Sequence, residues 1–447
     1  MKRTLFLFIG LSLLWTRVSF AIGPRSVTSS GNAVKWSSMP VTINLETDLT
    51  VRGKDVSTLV DAALSQWSGV TEANVSFTKG TLGADIDNTN ICCYFYDSSI
   101  CPNGPQSDGM NPLIIDADGA ITSDFFNPQN KLTTLGFASI ILSDSSSGAA
   151  VKGEAVFNAS CLAGVEVTGC SAKGLSFTDD DFTSFMVHEM GHFLGLDHSQ
   201  VNLTEATDGV TSNDDVINTM FPTFIIGNGA NFKTPEKDDK VGLAQLYPSS
   251  TFATTTWTIK GTVSNGSAGL QCANVIARNQ AAGLSRTDAI SALSGDFSPA
   301  GTADGSYVIP GLTPGVTYTV EIERIGNSVK EFTGSSGYTP CRGSSGESKP
   351  PKFDAQIHTG TFTGTSGSTI LGVDFSAANV TSTLELASLE TMITGTNDEL
   401  VIEDQMTAIE LKSDTSSSCS SSGSGGSSGS SGSTSSNSSG CSLIPSF

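Results

Sequence analysis

Histidine is scarce in this chain: there are four in 447 residues, and three of them lie between positions 188 and 198. Basic residues are also few, 23 lysines and arginines against 44 acidic residues, which gives a formal net charge of -21. A surface this negative repels phosphate backbones and anionic lipids, so the composition argues against nucleic acid as a partner. It suits a soluble protein that is exported from the cell.

Long apolar runs are missing except near the start. The first 21 residues combine the basic Lys2 and Arg3, an apolar stretch from Leu5 to Trp15 and small residues up to Ala21. The stretch is too short to span a bilayer comfortably, so we predict a signal peptide over 1–21, with a buried helix as the alternative. We expect a secreted bacterial protein without a transmembrane segment; retention at the cell surface stays open.

Nine cysteines in an exported chain predict disulfides. Spacing suggests three pairs, although sequence alone leaves the connectivity open: Cys161 with Cys170, Cys272 with Cys341, and Cys419 with Cys441. A local group leaves one thiol over: Cys92, Cys93 and Cys101.

Hydrophobic periodicity divides the rest of the chain. Alternation at Val41, Ile43 and Leu45 predicts a strand, and residues 56–67 show helical spacing. Thr178 and Asp181 fit a capping box at a helix start, and Thr234 can cap a final helix that stops at Pro248. These signals predict an α+β domain over 22–249.

Beyond Trp257 the pattern changes to short alternating runs between glycine turns, such as WTIKGTV and TYTVEIE, which predicts a small all-β sandwich over 256–378. A β extension is assigned to 379–412 on a weaker pattern. Residues 413–447 are a linker and tail rich in serine and glycine. Because the boundary PSSTFATTT is polar, we expect residues 250–447 to be dispensable for any chemistry of the first domain.

The three clustered histidines have the spacing of metal ligands. His188 and His192 stand one turn apart on a helix face, and Gly195 can turn the chain so that His198 becomes a third ligand. Imidazole nitrogens suit Zn2+, and three protein ligands leave a position open for water, as in catalytic sites. Glu189 can then act as the general base. A chance cluster and a closed structural zinc site are the alternatives.

The residues His188, Glu189, His192, Gly195 and His198 form the pattern H-E-x-x-H-x-x-G-x-x-H, which resembles the metzincin metallopeptidases. Ser199 after the third histidine and the segment NTMFPTF resemble the matrixins among them, and the resemblance covers 34–248.

The resemblance implies a mixed twisted sheet with an active-site helix and a C-terminal helix. It also implies a Met-turn at Met220 and a substrate-pocket wall formed by Pro222, Thr223 and Phe224. No cysteine precedes Cys92, so the cysteine-based latency of that family is not expected.

Two further features carry weaker predictions. Asp116, Asp118 and Asp124 surround Gly119 and are candidate Ca2+ ligands, although a solvated turn explains the same pattern. The segments IKGTV and DGSYVIPGLTPGVTYTVEI resemble a carboxypeptidase regulatory-like (prealbumin-like) β-sandwich.

The motif predicts a secreted zinc metalloendopeptidase, a monomer that acts on protein or peptide substrates. The rival hypothesis is a secreted adhesin or binding protein with a vestigial peptidase domain.

Overall fold

The computed structural model describes two lobes of the chain. Its described residues are 22–95, 101, 108–125, 131–132, 134–199, 201–202, 205, 211–224, 229–265, 268–295, 304–324, 355–376, 380–384, 400–401 and 409–410. The predicted signal peptide and the serine-rich tail lie outside these residues. Among the helices of the described part, none is long and apolar enough to cross a membrane.

The first lobe is built on a mixed sheet. The strands of this lobe are β1 (Val41–Leu45), β2 (Thr50–Val51), β3 (Lys54–Asp55), β4 (Phe77–Thr81), β5 (Pro112–Asp116), β6 (Gly136–Ser143), β7 (Ala150–Asn158) and β8 (Thr223–Phe224). Strands β4, β1, β5 and β7 run parallel in that order, and β6 is antiparallel to β7. The hairpin β2–β3 stands apart from this sheet.

The α-helices described in the first lobe and at its boundary are α1 (Ser57–Ser68), α2 (Ala120–Phe125), α3 (Asp179–Phe193), α4 (Gly229–Phe232), α5 (Lys237–Leu246) and α6 (Phe252–Thr255). The apolar face of α1 is buried, as its spacing predicts, and Trp67 donates a hydrogen bond to the carbonyl of Val187 in α3. Mixed sheet and helices together agree with the predicted α+β class.

Helix α3 begins where the sequence predicts, and α5 does not. Thr178 accepts from the backbone N–H of Asp181, and Asp181 accepts from that of Thr178, so the predicted capping box is confirmed. The prediction of Thr234 as the cap of α5 is wrong. Glu236 holds that place, because Asp239 three residues on accepts from its backbone N–H at 2.8 Å.

Disulfides hold two loops of the first lobe. Cys161 is bonded to Cys170, as predicted, and Cys92 of the local group is bonded to Cys101. Cys272 in the second lobe is also disulfide-bonded. The other cysteines of the predicted pairs, Cys341, Cys419 and Cys441, lie outside the described residues.

The second lobe is formed from two facing sheets. Its strands are β9 (Trp257–Thr262), β10 (Ser264–Asn265), β11 (Ala268–Gly269), β12 (Ala273–Asn279), β13 (Ala289–Leu293), β14 (Ser306–Leu312), β15 (Thr317–Arg324), β16 (Ala355–Thr363), β17 (Thr369–Ile370) and β18 (Val380–Leu384). One sheet has the order β13-β12-β15-β16-β18 and the other β14-β9-β17. Alternate residues of both sheets enclose one apolar core that includes Trp257, Ile259 and Val275.

Two short strands from the predicted β extension return to the first lobe. β19 (Leu400–Val401) pairs antiparallel with β8, and β20 (Ile409–Glu410) pairs parallel with the edge strand β6. The chain beyond the second lobe therefore contacts the first lobe at two separate strands.

Helix α5 belongs to both cores. Leu243, Leu246 and Tyr247 pack in the core of the first lobe, whereas Val241 and Ala244 pack in the core of the second. The boundary segment is mostly exposed, but part of it forms α6, and Phe252 is buried in the second core. Because α5 packs in both cores, the two lobes share one element; that residues 250–447 form a separate unit and are dispensable for the chemistry stays a prediction.

Candidate metal centre

Helix α3 and the turn after it bring the three histidines together. His188 and His192 lie one turn apart on α3, and Gly195 adopts a left-handed conformation with φ 90°, which reverses the chain towards His198. The Nδ1 atom of His188 lies 2.7 Å from the carbonyl oxygen of Thr219, and that of His192 lies 2.8 Å from the carbonyl oxygen of Leu196. A carbonyl only accepts, so Nδ1 carries the proton in both rings and Nε2 is left as a ligand atom.

The spacing of the ring nitrogens fits a tetrahedral metal. His192 Nε2 lies 3.1 Å from Nε2 of both His188 and His198. Neighbouring nitrogens on a tetrahedral zinc, each at 2.0–2.1 Å from the ion, would be about 3.3 Å apart. Since two unprotonated nitrogens repel each other at this distance, the arrangement calls for a cation between them. The ligand atoms of the three histidines all lie within 4.8 Å of one another.

Burial keeps the histidines neutral. It lowers the pKa of His188 to about 4, and it lowers the pKa values of His192 and His198 well below their usual range. Neutral imidazole is the form that binds metal, so protons compete little for these nitrogens at neutral pH.

Glu189 lies beside the first histidine and is itself buried, with 1% of its surface exposed. Neither carboxylate oxygen makes a hydrogen bond of normal geometry among the described residues, although the backbone N–H of Ala138 is close enough to lower the pKa of the carboxyl group. Burial raises the pKa of Glu189 to about 8, and the positive charge of Arg25 opposes this rise. A buried carboxylate without hydrogen bonds of normal geometry is costly unless a charge or a polar ligand joins it, which fits a group that faces a metal-bound water.

Sequence reasoning missed the segment 22–25, which borders the histidines. Pro24 forms a bridge with Leu196, and the backbone N–H of Arg25 donates to the carbonyl of Gly195 at 2.9 Å. The charge of Arg25 contributes to the lowered pKa values of all three histidines. A single arginine shortly after the predicted signal peptide carries no pattern in the sequence that would identify this role.

Met220, the residue predicted for a Met-turn, packs against α3 at Gly191. It is fully buried, and its carbonyl accepts from the backbone N–H of Ser199 at 2.8 Å. Asp239 holds this turn, because its carboxylate accepts from the backbone N–H groups of Thr219 and Met220 at 3.0 and 3.2 Å. Burial raises the pKa of Asp239 to about 7. This role of Asp239 could not be predicted, because two acidic residues at a helix start are already explained by the helix dipole.

Gly191 allows the Met-turn to lie directly against α3. A Cβ atom at this position would lie 2.3 Å from Sδ of Met220 and 2.9 Å from Cζ2 of Trp67. Both side chains are fully buried, so neither can move without repacking the core.

We therefore expect Gly191→Ala to destabilise the protein by about 1–3 kcal/mol, despite the better helix propensity of alanine, and to lower Tm in a thermal melt. The double variant Gly191→Ala/Met220→Ala relieves the nearer clash. Its loss of stability should be smaller than the sum of the two single losses, and strictly additive losses would contradict the packing argument.

Part of the predicted pocket wall is a short strand, while the role of Pro222, Thr223 and Phe224 in a substrate pocket stays a prediction. Thr223 and Phe224 form β8, which pairs with Leu400 and Val401. The ring of Phe224 packs edge-on against Phe185 of α3 at 4.3 Å between centroids. A peptide that pairs with β8 would have to replace β19.

The acidic cluster near Gly119 has local partners. Asp116 is buried, and its Oδ2 accepts from the backbone and hydroxyl of Thr122 at 2.7 Å each. Asp118 accepts from the backbone of Ala120 at 3.0 Å, and Asp124 is exposed. Within the described ranges, the group of residues that the fold gathers as metal ligands consists of the three histidines. Calcium binding at Asp116, Asp118 and Asp124 stays a prediction.

Comparison with known families supports the same chemistry. Residues 35–248 match the family model of the matrixin peptidases. This stretch is a matrixin-like metallopeptidase domain. The matrixin match implies a hydrolase that acts on proteins and a catalytic zinc, for which the three histidines have the right geometry.

The matrixin-like domain includes α3, the Met-turn and α5, and it ends at the boundary with the second lobe. No curated protein matches the chain. The resemblance of the second lobe to a carboxypeptidase regulatory-like domain lies outside the matched residues and stays a prediction.

Proposed function

We propose that the protein is a secreted zinc endopeptidase that hydrolyses peptide bonds in proteins through a zinc-activated water, with Glu189 as the general base. One observation carries the proposal: the ring nitrogens of three buried histidines converge, with His192 Nε2 3.1 Å from Nε2 of His188 and of His198, beside the buried carboxylate of Glu189. Secretion rests on the predicted signal peptide at 1–21.

The residues have distinct roles in this proposal. His188, His192 and His198 would hold the ion, and bound zinc supplies a water of lowered pKa and polarises the scissile carbonyl. The Glu189 carboxylate would take the proton from the attacking water as the new C–O bond forms. It would return that proton to the amine nitrogen as the C–N bond breaks. The raised pKa of Glu189 suits a group that gains and loses a proton near neutral pH.

For substrate preference, we propose that Pro222, Thr223 and Phe224 form the wall of the pocket that receives the side chain after the scissile bond. Both Pro222 and Phe224 are apolar; Phe224 lies in β8 and packs against Phe185 of α3, and Pro222 directly precedes the strand. We expect cleavage before bulky hydrophobic residues. Discrimination should be weak, since one methylene in an apolar pocket contributes about 1–3 kcal/mol.

Hydrolysis of denatured casein by the purified chain tests the proposal. We expect cleavage that a metal chelator abolishes and that added zinc restores, because the site has no other electrophile. Negligible cleavage both with and without chelator would favour the rival hypothesis of an adhesin or binding protein with a vestigial peptidase domain.

A further inference from the structure

The segment that follows the third histidine lies on the second lobe. Val201 is buried in a cluster with Ile276 of β12 and Ala289 of β13. Its carbonyl accepts from Nη2 of Arg278 at 2.6 Å, and Oδ1 of Asn202 accepts from Nη1 of the same side chain at 3.0 Å. We call the loop that carries His198 the ligand loop. Val201 and Asn202, which follow His198 in this loop, are therefore held by strands that lie outside the matrixin-like domain.

Arg278 is held rigidly for this contact. Its guanidinium is mostly buried and forms ion pairs with Glu321 and Glu323 of the neighbouring strand β15. A planar guanidinium with several committed donors loses little freedom when it binds two more acceptors. The side-chain amide of Asn202 also donates to the carbonyl oxygen of Arg286 in the second lobe at 3.1 Å.

A buried carboxylate joins the ligand loop to the second lobe more directly. Oδ2 of Asp238, in α5, accepts from the hydroxyl of Ser199 at 2.7 Å, and Ser199 follows His198. The same carboxylate accepts from the backbone N–H of Ser291 at 2.7 Å and from its hydroxyl at 2.8 Å. All three side chains are at most 3% exposed. Ser291 lies in β13, so both of its polar groups are donated across the boundary between the lobes.

We infer that the second lobe is part of the active-site scaffold, and that Ser291 is a positioning residue that orients the loop carrying His198 through Asp238 and Ser199. The inference rests on the proposed zinc site. It extends that site to residues beyond 248, which the motif and the family match leave out.

The geometry explains why the second lobe is needed. A carboxylate buried in protein must have its acceptor sites filled by donors. Of the donors to Asp238 described here, one comes from the ligand loop and two from Ser291. Without the Ser291 hydroxyl, Oδ2 of Asp238 would keep only the Ser199 hydroxyl as a partner, while Oδ1 keeps the backbone N–H of residue 291, so the oxygen that holds the loop would be less firmly placed. The loop would then lose the fixed angle that it needs to present His198.

The test compares two buried serines of the second lobe in the full-length chain. Ser291→Ala removes a hydroxyl that reaches Asp238. Ser294→Ala is the matched control, because the Ser294 hydroxyl is equally buried and bonds to the carbonyl of Leu270 within the second lobe. Zinc dissociation is followed with a chromogenic chelator. Co2+ replaces zinc in a second set of samples, whose visible spectrum reports the angles between the ligands.

We expect zinc to dissociate about tenfold faster from Ser291→Ala than from the parent chain, a loss typical of an outer partner of a metal ligand. The Co2+ spectrum should change, kcat should fall with KM little altered, and Ser294→Ala should stay within about twofold of the parent. Ser291→Thr keeps the hydroxyl and should restore the parent dissociation rate.

Equal dissociation rates for Ser291→Ala and Ser294→Ala, whether both unchanged or both raised, would overturn the inference. If Ser291→Ala does not fold, Ser199→Ala provides the comparison, because it removes the hydrogen bond by which Asp238 holds the loop that carries His198. A parent chain that binds zinc but cleaves no casein would count against the proposed function alone, since the dissociation rates would still measure the role of Ser291.

Discussion

Glu189→Ala is expected to bind zinc like the parent chain and to hydrolyse peptides at least about 100-fold more slowly. Removal of a general base typically costs 10²–10⁴-fold, and more where the base also positions the nucleophile. Zinc should stay, because Glu189 is not among the side chains that converge as ligands. Loss of a buried carboxylate without hydrogen bonds of normal geometry among the described residues should leave the fold intact or make it more stable.

Glu189→Gln is the closer control, because it keeps the size of the side chain and removes its basicity. Both variants should show one zinc per chain by metal analysis and the same large fall in kcat. A zinc-free Glu189→Ala protein, or one within tenfold of the parent rate, would show that the roles of ligand and base are wrongly assigned.

His192→Ala is expected to lose the metal itself. His192 Nε2 lies 3.1 Å from each of the other two ligand nitrogens, so its removal leaves two of the three protein ligands. Changes to outer partners of a ligand cost 10–100-fold in affinity, and loss of the ligand should cost more than about 100-fold.

His358→Ala is the matched control for this change. His358 is the fourth histidine and lies in β16 of the second lobe. It should keep one zinc per chain after desalting, whereas His192→Ala should retain none and should not cleave casein. Equal zinc content in the two variants would contradict the proposed site.

The ligands could be predicted because their signal is local. Helical spacing places His188 and His192 on one face, a glycine three residues on reverses the chain, and Thr178 with Asp181 marks the helix start. Each of these depends on residues within a few turns of one helix. The structure confirms the helix, its cap and the convergence of the three histidines.

The supports of the site could not be predicted, because they join distant parts of the chain. Asp239 holds the Met-turn about twenty residues before it, and Ser291 reaches Asp238 from another lobe. In the sequence, Asp238 and Asp239 have the usual position of acidic residues at a helix start. Val241 and Ala244 have the spacing of core residues, but periodicity does not tell which of two cores they enter.

The dual packing of α5 has a consequence for how the protein unfolds. A helix with one face in each core cannot stay ordered when either core melts, since half of its apolar surface would then meet water. The lobes are thus tied into one cooperative unit, in which heat or denaturant that opens the β-sheets also releases Asp239 from the Met-turn. Loss of metal and loss of the second lobe would follow the same unfolding transition, and kinetic stability would be set by the weaker of the two cores.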